Sequence, residues 1–254
     1  MRNQEAMTRR FLPHWFVPAA VHFVTYRLHD SLPKTVLEEL RACKNALLKD
    51  KPKSGQSSAQ HRTEAHKRLF VQYDAWLDRG ESKKHLSDPR IAALIRSNLY
   101  HHHGKKYQLL AYCVMPNHVH ILIQPQDEGL ATANEQLMLA GSLCQDQAAV
   151  GEQADGHSQL ATIMHSVKSY TAHEANKILR RSGTFWQAES YDHWVRDDAE
   201  LERIVAYIEA NPVKAGLVKE PHDWFFCSAH DRFLTDGEKC GWLRWESEIA
   251  RSLP

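Results

Sequence analysis

Residues 107–124, YQLLAYCVMPNHVHILIQ, decide the fold of this chain. They contain two apolar, β-branched runs, 107–114 and 118–124, separated only by Met115-Pro116-Asn117. Runs of this kind that are bounded by turn residues predict strands, and Pro125 ends the second one. Two strands joined by so short a link are expected to pair as an antiparallel hairpin.

Further elements are predicted on both sides of this hairpin. The run at 21–28 predicts another strand, and apolar residues at helical spacing predict helices at 34–49, 61–78, 89–102, 160–181 and 198–211. Elements in this order predict an α+β fold, with an antiparallel sheet that carries helices on one face. We expect a core domain over residues 1–181 with insertions at about 51–86 and 126–158, followed by a C-terminal helical extension, 182–254, packed on the core.

The composition excludes several classes of protein. No apolar run is long enough to span a bilayer and the N-terminus lacks a signal-peptide core, so we expect a cytoplasmic protein without a membrane partner. The five cysteines have no C-x-x-C spacing, which predicts reduced thiols rather than a zinc–cysteine site. No glycine loop that could cradle phosphates is present, so no nucleotide cofactor is expected.

The net charge of +1 is unevenly distributed along the chain. Residues 125–157 contain six acidic side chains and no Lys or Arg, so this segment carries −6 and the remainder carries +7. A moderately basic remainder is compatible with a surface for nucleic acid, although many basic faces are only solvated.

His118-Val119-His120 is the strongest signal for chemistry. Alternate side chains of a strand share a face, so both imidazoles should lie on one side of the sheet, about 7 Å apart along the strand, and could converge on a metal ion. A chance H-x-H among 17 histidines is the alternative. The motifs of metallo-β-lactamase-like and histidine-triad hydrolases are excluded because Leu122 occupies a position where each needs a polar ligand.

Tyr170 lies on the predicted helix 160–181. His173 and Glu174 follow three and four residues later and are therefore its neighbours on the helix surface, with Lys168 and Lys177 close by. A phenol, a carboxylate and an imidazole on one helical patch can serve a phosphodiester transfer. Alternatively, Tyr170 packs in the core and Glu174 is an ordinary surface charge.

Taken together, these segments resemble the HUH single-tyrosine transposases, and more narrowly the REP-associated tyrosine transposases. The resemblance covers about residues 21–229, and its motifs occur in the order of the family. The matching stretches are 23–28, 112–122, 168–171, 183–187 and 207–218.

The resemblance implies a ferredoxin-like or RRM-like sheet with the histidine pair on a central strand. His118 and His120 would be ligands of a divalent metal, Mg²⁺ or Mn²⁺, and Tyr170 would be the nucleophile. In the family, a polar residue one helical turn after the tyrosine completes the metal site. Glu174 holds that position here, and His173 is the nearby rival or support.

The implied activity is cleavage and rejoining of single-stranded or hairpin DNA through a 5′-phosphotyrosine link. A non-cleaving regulator of hairpin sites and a metal phosphodiesterase that uses water stay open as alternatives, as do a monomer and a homodimer. The candidate contacts to the DNA backbone are basic side chains, namely Lys105, Lys106, Lys168, Lys177, Arg180 and Arg181.

Overall fold

The computed structural model describes residues 20–50, 57–79, 83–126 and 159–233. These residues contain one antiparallel sheet in the order β2-β3-β1-β4. Its strands are β1 (His22–Arg27), β2 (Tyr107–Val114), β3 (His118–Pro125) and β4 (Tyr191–Trp194). β2 and β3 pair as the predicted hairpin, and β1 pairs with β3 on one side and β4 on the other.

Six α-helices accompany the sheet in the described part of the chain. They are α1 (Lys34–Lys49), α2 (Ser58–Asp78), α3 (Pro89–His102), α4 (Gln159–Ile178), α5 (Asp198–Lys214) and α6 (Ser228–Phe233). None of them is long and apolar enough to cross a membrane. The order β1-α3-β2-β3-α4-β4 is the arrangement of a ferredoxin-like fold, so the predicted α+β class is confirmed.

The sheet carries helices on both faces, whereas the sequence prediction placed them on one. α3 and α4 pack on the face formed by Val119 and Ile121. Side chains of α1, α2 and α5 pack on the opposite face, where Phe23 and Leu122 lie. The physical reason is that alternate residues of β3 are buried on both sides, so each face needs a cover.

β4 and α2 lie across the domain divisions that were expected from the sequence. β4 lies beyond the boundary expected after residue 181, yet it pairs with β1 and completes the sheet. α2 lies within the insertion expected at about 51–86, yet Leu69 and Leu77 are buried in the core. Most of the second insertion, from 127 to 158, falls outside the described residues.

α5 continues past the point where the sequence predicted its end. The prediction stopped this helix at Asn211-Pro212, but it runs to Lys214 with Pro212 inside it. A proline so close to the C-terminus removes only one helical hydrogen bond, and Gly216 then ends the helix at φ +70°. The extra turn brings Lys214 to the site described below.

Asp231 anchors α6 to the rest of the fold. Its carboxylate accepts hydrogen bonds from Arg96, from Tyr100 Oη (2.6 Å) and from Tyr112 Oη (2.5 Å). We expect Asp231→Ala to lower the free energy of unfolding by about 3 kcal/mol or more, because it removes one partner of a buried ion pair. Urea denaturation checks this, with the exposed Glu202→Ala as control. A loss below about 1 kcal/mol, the range of an exposed ion pair, would contradict the assignment.

Candidate metal and nucleophile site

The two histidines of β3 lie together beneath the helices of one sheet face. Both side chains are buried, and their Nε2 atoms are 3.0 Å apart. Val119, between them, points to the opposite face. Strand alternation therefore places the two imidazoles side by side, as predicted from the sequence.

The other ring nitrogen of each histidine is held by a polar side chain. His118 Nδ1 lies 2.6 Å from Asn117 Oδ1, and His120 Nδ1 lies 2.7 Å from Thr25 Oγ1. Asn117 Nδ2 donates to Leu77 O (2.9 Å), which assigns the amide oxygen to His118. An oxygen there accepts only from Nδ1–H, so this tautomer leaves Nε2 of His118 unprotonated and able to bind a metal.

Asp74 of α2 completes a buried group of three possible metal ligands. Its Oδ1 lies 3.4 Å from His120 Nε2 and 4.0 Å from His118 Nε2. The three ligand atoms lie within 4.8 Å of one another. Asp74 Oδ1 is buried and makes no well-formed hydrogen bond among the described residues. Two imidazole nitrogens and one carboxylate oxygen are a donor set that suits a divalent ion.

The ionisation of these groups also suits a metal site. Burial, and then the neighbouring His120, lower the pKa of His118 to about 3, so its imidazole is neutral at physiological pH. Burial opposes the ionisation of Asp74, but its contacts with His120 and with the Tyr207 hydroxyl hold its pKa well below the usual range. Neutral imidazole and ionised carboxylate are the forms that bind metals.

Tyr207 of α5 is the tyrosine that the structure places beside the histidine pair. Its ring lies edge-on to His120, with centroids 5.7 Å apart, and its Oη donates to Asp74 Oδ2. Lys214 Nζ lies 2.9 Å from the same Asp74 oxygen and 5.6 Å from the centroid of the Tyr207 ring. Burial and the charge of Asp74 raise the pKa of Tyr207, so it is a protonated phenol in this arrangement.

Asn211 follows Tyr207 by one helical turn. Its side chain is fully buried, and its Oδ1 has no hydrogen-bond partner in the described part of the chain. A buried amide oxygen without a donor is costly unless a further group satisfies it. Asn211 is therefore an additional candidate oxygen ligand, which was not predicted from the sequence.

The predicted convergence of Tyr170 with the histidine pair does not occur in this structure. Tyr170 lies on α4, whose apolar side chains pack on the sheet face of Val119 and Ile121, opposite to the imidazoles. Its side chain is 53% exposed. Helical spacing placed Tyr170 correctly at the edge of an apolar stripe, but it could not show which sheet face that stripe covers.

Glu174 and His173 are not brought to the histidine pair either. Glu174 Oε1 binds Lys177 Nζ at 2.9 Å, and His173 is exposed beside it, both on the surface of α4. The acidic residue that the structure places next to the pair is Asp74, which lies 44 residues before His118 in the chain. The structure therefore does not bring Glu174, the third ligand expected from the sequence, to the histidine pair.

The predicted DNA contacts lie on α4, in the segment just after it, and in the turn before β2. Lys105 and Arg180 are exposed. The other basic side chains of this set have partners within the protein: Lys106 binds Ser166, Lys177 binds Glu174, and Arg181 binds His85 and the carbonyl of Thr184.

Among these basic side chains, Lys168 is the one whose surroundings least resemble those of a side chain that binds phosphate. Its Nζ donates to the carbonyls of Gln187 (2.6 Å) and Ala188 (2.8 Å). Burial, and then the nearby Arg27, lower its pKa to about 8. It therefore acts here as a structural bridge from α4 to the segment before β4.

Asn117→Ala tests whether the partners of the histidines prepare a metal site. We expect Mn²⁺ to bind about 10- to 100-fold more weakly, because His118 loses the acceptor that fixes its tautomer and orientation. Calorimetric titration with Mn²⁺ measures this directly. Asn98→Ala is the matched control, since Asn98 is also buried but lies on α3. Equal affinity in both variants would contradict a positioning role for Asn117.

Comparison with known proteins agrees with the motifs. No family model matches the chain. A curated protein of Haemophilus influenzae, which bears the name of a REP-associated tyrosine transposase, is 26% identical over 125 residues. That match covers 49% of this chain and 60% of the relative, so the chain spans about three fifths of the relative's length.

The chain also aligns with the solved structure of a REP-associated tyrosine transposase bound to a REP hairpin. The alignment covers 86% of this chain and 82% of that chain, with a TM-score of 0.42 and 14% identity. The resemblance predicted from the motifs is confirmed by the curated relative: over about half of its length, this chain is similar to a REP-associated tyrosine transposase.

Proposed function

We propose that the protein is a metal-dependent enzyme that cleaves and rejoins single-stranded or hairpin DNA, with Tyr207 as the nucleophile and His118 and His120 as metal ligands. The observation that carries the proposal is the meeting of a phenol with a preorganised imidazole pair: the Tyr207 ring lies 5.7 Å from that of His120. The name of the curated relative supports the same class of reaction.

Each residue of the site would have a separate role in the reaction. With DNA bound, Nε2 of His118, Nε2 of His120 and Oδ1 of Asn211 would hold the divalent ion, which when bound would neutralise charge on a phosphate oxygen. Tyr207 Oη would attack phosphorus in line, forming the tyrosyl–phosphate bond while the bond from phosphorus to the 3′ oxygen breaks.

The proton of the phenol would end on the departing oxygen, so that the products are a 5′-phosphotyrosine link and a 3′-hydroxyl. Lys214, with its ammonium 5.6 Å from the Tyr207 ring centroid, would stabilise the phenolate as the proton leaves. The ester keeps the energy of the broken bond, so the hydroxyl of another strand can reverse the step without a nucleotide cofactor. Tyr207 is a protonated phenol in this arrangement, so it would serve as a nucleophile only once its hydrogen bond to Asp74 is broken.

The alternatives predict different products from the same experiment. Protein is mixed with Mn²⁺ or Mg²⁺ and a DNA hairpin that carries a single-stranded foot and a label at its 3′ end, and the products are separated on a denaturing gel. A labelled band at the mass of the protein plus DNA is expected. Cleavage without that band would instead indicate a phosphodiesterase that uses water, and binding without cleavage would indicate a regulator.

A further inference from the structure

The histidine pair is closed off from solvent by α2. His118 and His120 are each 0% exposed and Asp74 is 1% exposed. A DNA phosphate therefore cannot reach the histidine pair while the helices keep these positions. Since β1 and β3 form the centre of the sheet, the opening must come from a helix that covers this face.

α2 is held over the site by contacts with several elements. Phe70 stacks on Tyr191 of β4, with ring centroids 4.2 Å apart. Lys67 Nζ lies 2.6 Å from Glu200 Oε1 of α5. Near the end of α2, Leu77 O accepts the hydrogen bond from Asn117 Nδ2. α2 also packs against α1 and buries Leu69 and Leu77, so its position depends on side-chain packing together with these contacts.

Asp74 places a carboxylate among the groups that a scissile phosphate would need. One oxygen faces Nε2 of His120, at 3.4 Å, and the other accepts from Tyr207 and from Lys214. A phosphodiester likewise presents two anionic oxygens on a central atom. Asp74 and a phosphate cannot occupy this position together, because two anions at such a distance repel each other strongly away from water.

We propose that α2 is a cover that closes the site in the DNA-free protein, with Asp74 in the position of the substrate phosphate, and that binding of DNA displaces it. This inference rests on the proposed function, since it concerns the regulation of the same site. The closed arrangement keeps the nucleophile inactive, because the hydroxyl of Tyr207 is not free to attack while it donates a hydrogen bond to Asp74. It also favours substrates that supply enough contacts to replace those of α2.

Asp74→Asn tests the proposal because it keeps the shape of the side chain and removes the charge. At saturating Mn²⁺ and a DNA concentration below the dissociation constant, the rate of adduct formation should rise about tenfold, since the closed arrangement is weakened. Lys67→Met should also raise the rate, because it loosens α2 at a contact with Glu200 that involves none of the reacting groups. Val71→Ala, on the exposed side of α2, is the matched control and should leave the rate unchanged.

Hydrogen–deuterium exchange of α2 supplies a readout that does not depend on activity. Exchange across α2 should be faster in DNA-free Asp74→Asn than in the wild type, and it should rise in the wild type when hairpin DNA is added. Loss of the adduct in Asp74→Asn, to the level of a variant without its nucleophile, would overturn the proposal and make Asp74 part of the chemistry. If no protein forms an adduct, the proposed function fails, and α2 exchange that is unchanged by Asp74→Asn would refute the cover independently.

Discussion

Tyr207→Phe is expected to abolish the covalent protein–DNA adduct, with a loss on the order of 10⁴-fold or more in the rate of its formation. The substitution removes only the hydroxyl, so the ring should keep its edge-on contact with His120. DNA binding should survive, because the lost hydroxyl is hydrogen-bonded to Asp74 inside the closed site and is not part of the outer surface. The measurement is a time course of the labelled adduct on a denaturing gel, alongside an anisotropy titration for binding.

Tyr170→Phe is the matched control for this experiment. Both tyrosines lie on helices within stretches that resemble the transposase motifs, but Tyr170 is 53% exposed and lies on the helix that covers the opposite sheet face. Tyr170→Phe should therefore form the adduct at a rate close to that of the wild type. An active Tyr207→Phe together with an inactive Tyr170→Phe would restore the assignment made from the sequence alone.

Replacing either histidine is the second change with a large expected effect. His118→Ala and His120→Ala should each reduce DNA cleavage by about 10³-fold, since loss of a ligand removes the charge stabilisation that a metal provides, worth several kcal/mol. Mn²⁺ binding, followed by calorimetry, should fall in parallel. DNA binding should largely persist, because the imidazoles are buried beneath the cover and are not part of the outer surface.

His173→Ala and Glu174→Gln serve as controls for the metal assignment. Both side chains lie on α4, where Glu174 is engaged with Lys177 rather than with the histidine pair. Neither change should alter Mn²⁺ affinity or cleavage. Full activity of His118→Ala or His120→Ala would refute the metal assignment, whereas loss of Mn²⁺ binding in Glu174→Gln would return Glu174 to the site.

The sheet and the histidine pair could be predicted because their signals are local. Alternation along residues 118–124 sets which side chains share a face, and the short link after Val114 sets the antiparallel pairing. Both predictions depend on neighbours within a few residues. The same kind of signal placed Tyr170 on a helix, but the face that a helix covers is decided by packing between distant parts of the chain.

Asp74 and Tyr207 were missed for that reason. Nothing near Asp74 in the sequence marks it as a partner of the histidine pair, since it is one of three acidic residues on a 21-residue helix. A usable signal existed for Tyr207: it opens the motif 207–218, and Asn211 stands one helical turn later. That spacing repeats the pattern of a tyrosine and a polar ligand that was assigned to Tyr170 and Glu174, and only the fold distinguishes the two pairs.

Mapping the modified residue in the wild-type protein tests the joint placement of nucleophile and histidine pair most directly. The adduct formed with hairpin DNA and Mn²⁺ is digested with a protease and a nuclease, and the peptides are sequenced by mass spectrometry. A nucleotide remnant on Tyr207 is the result expected here. A remnant on Tyr170, with Tyr207 unmodified, would contradict the account.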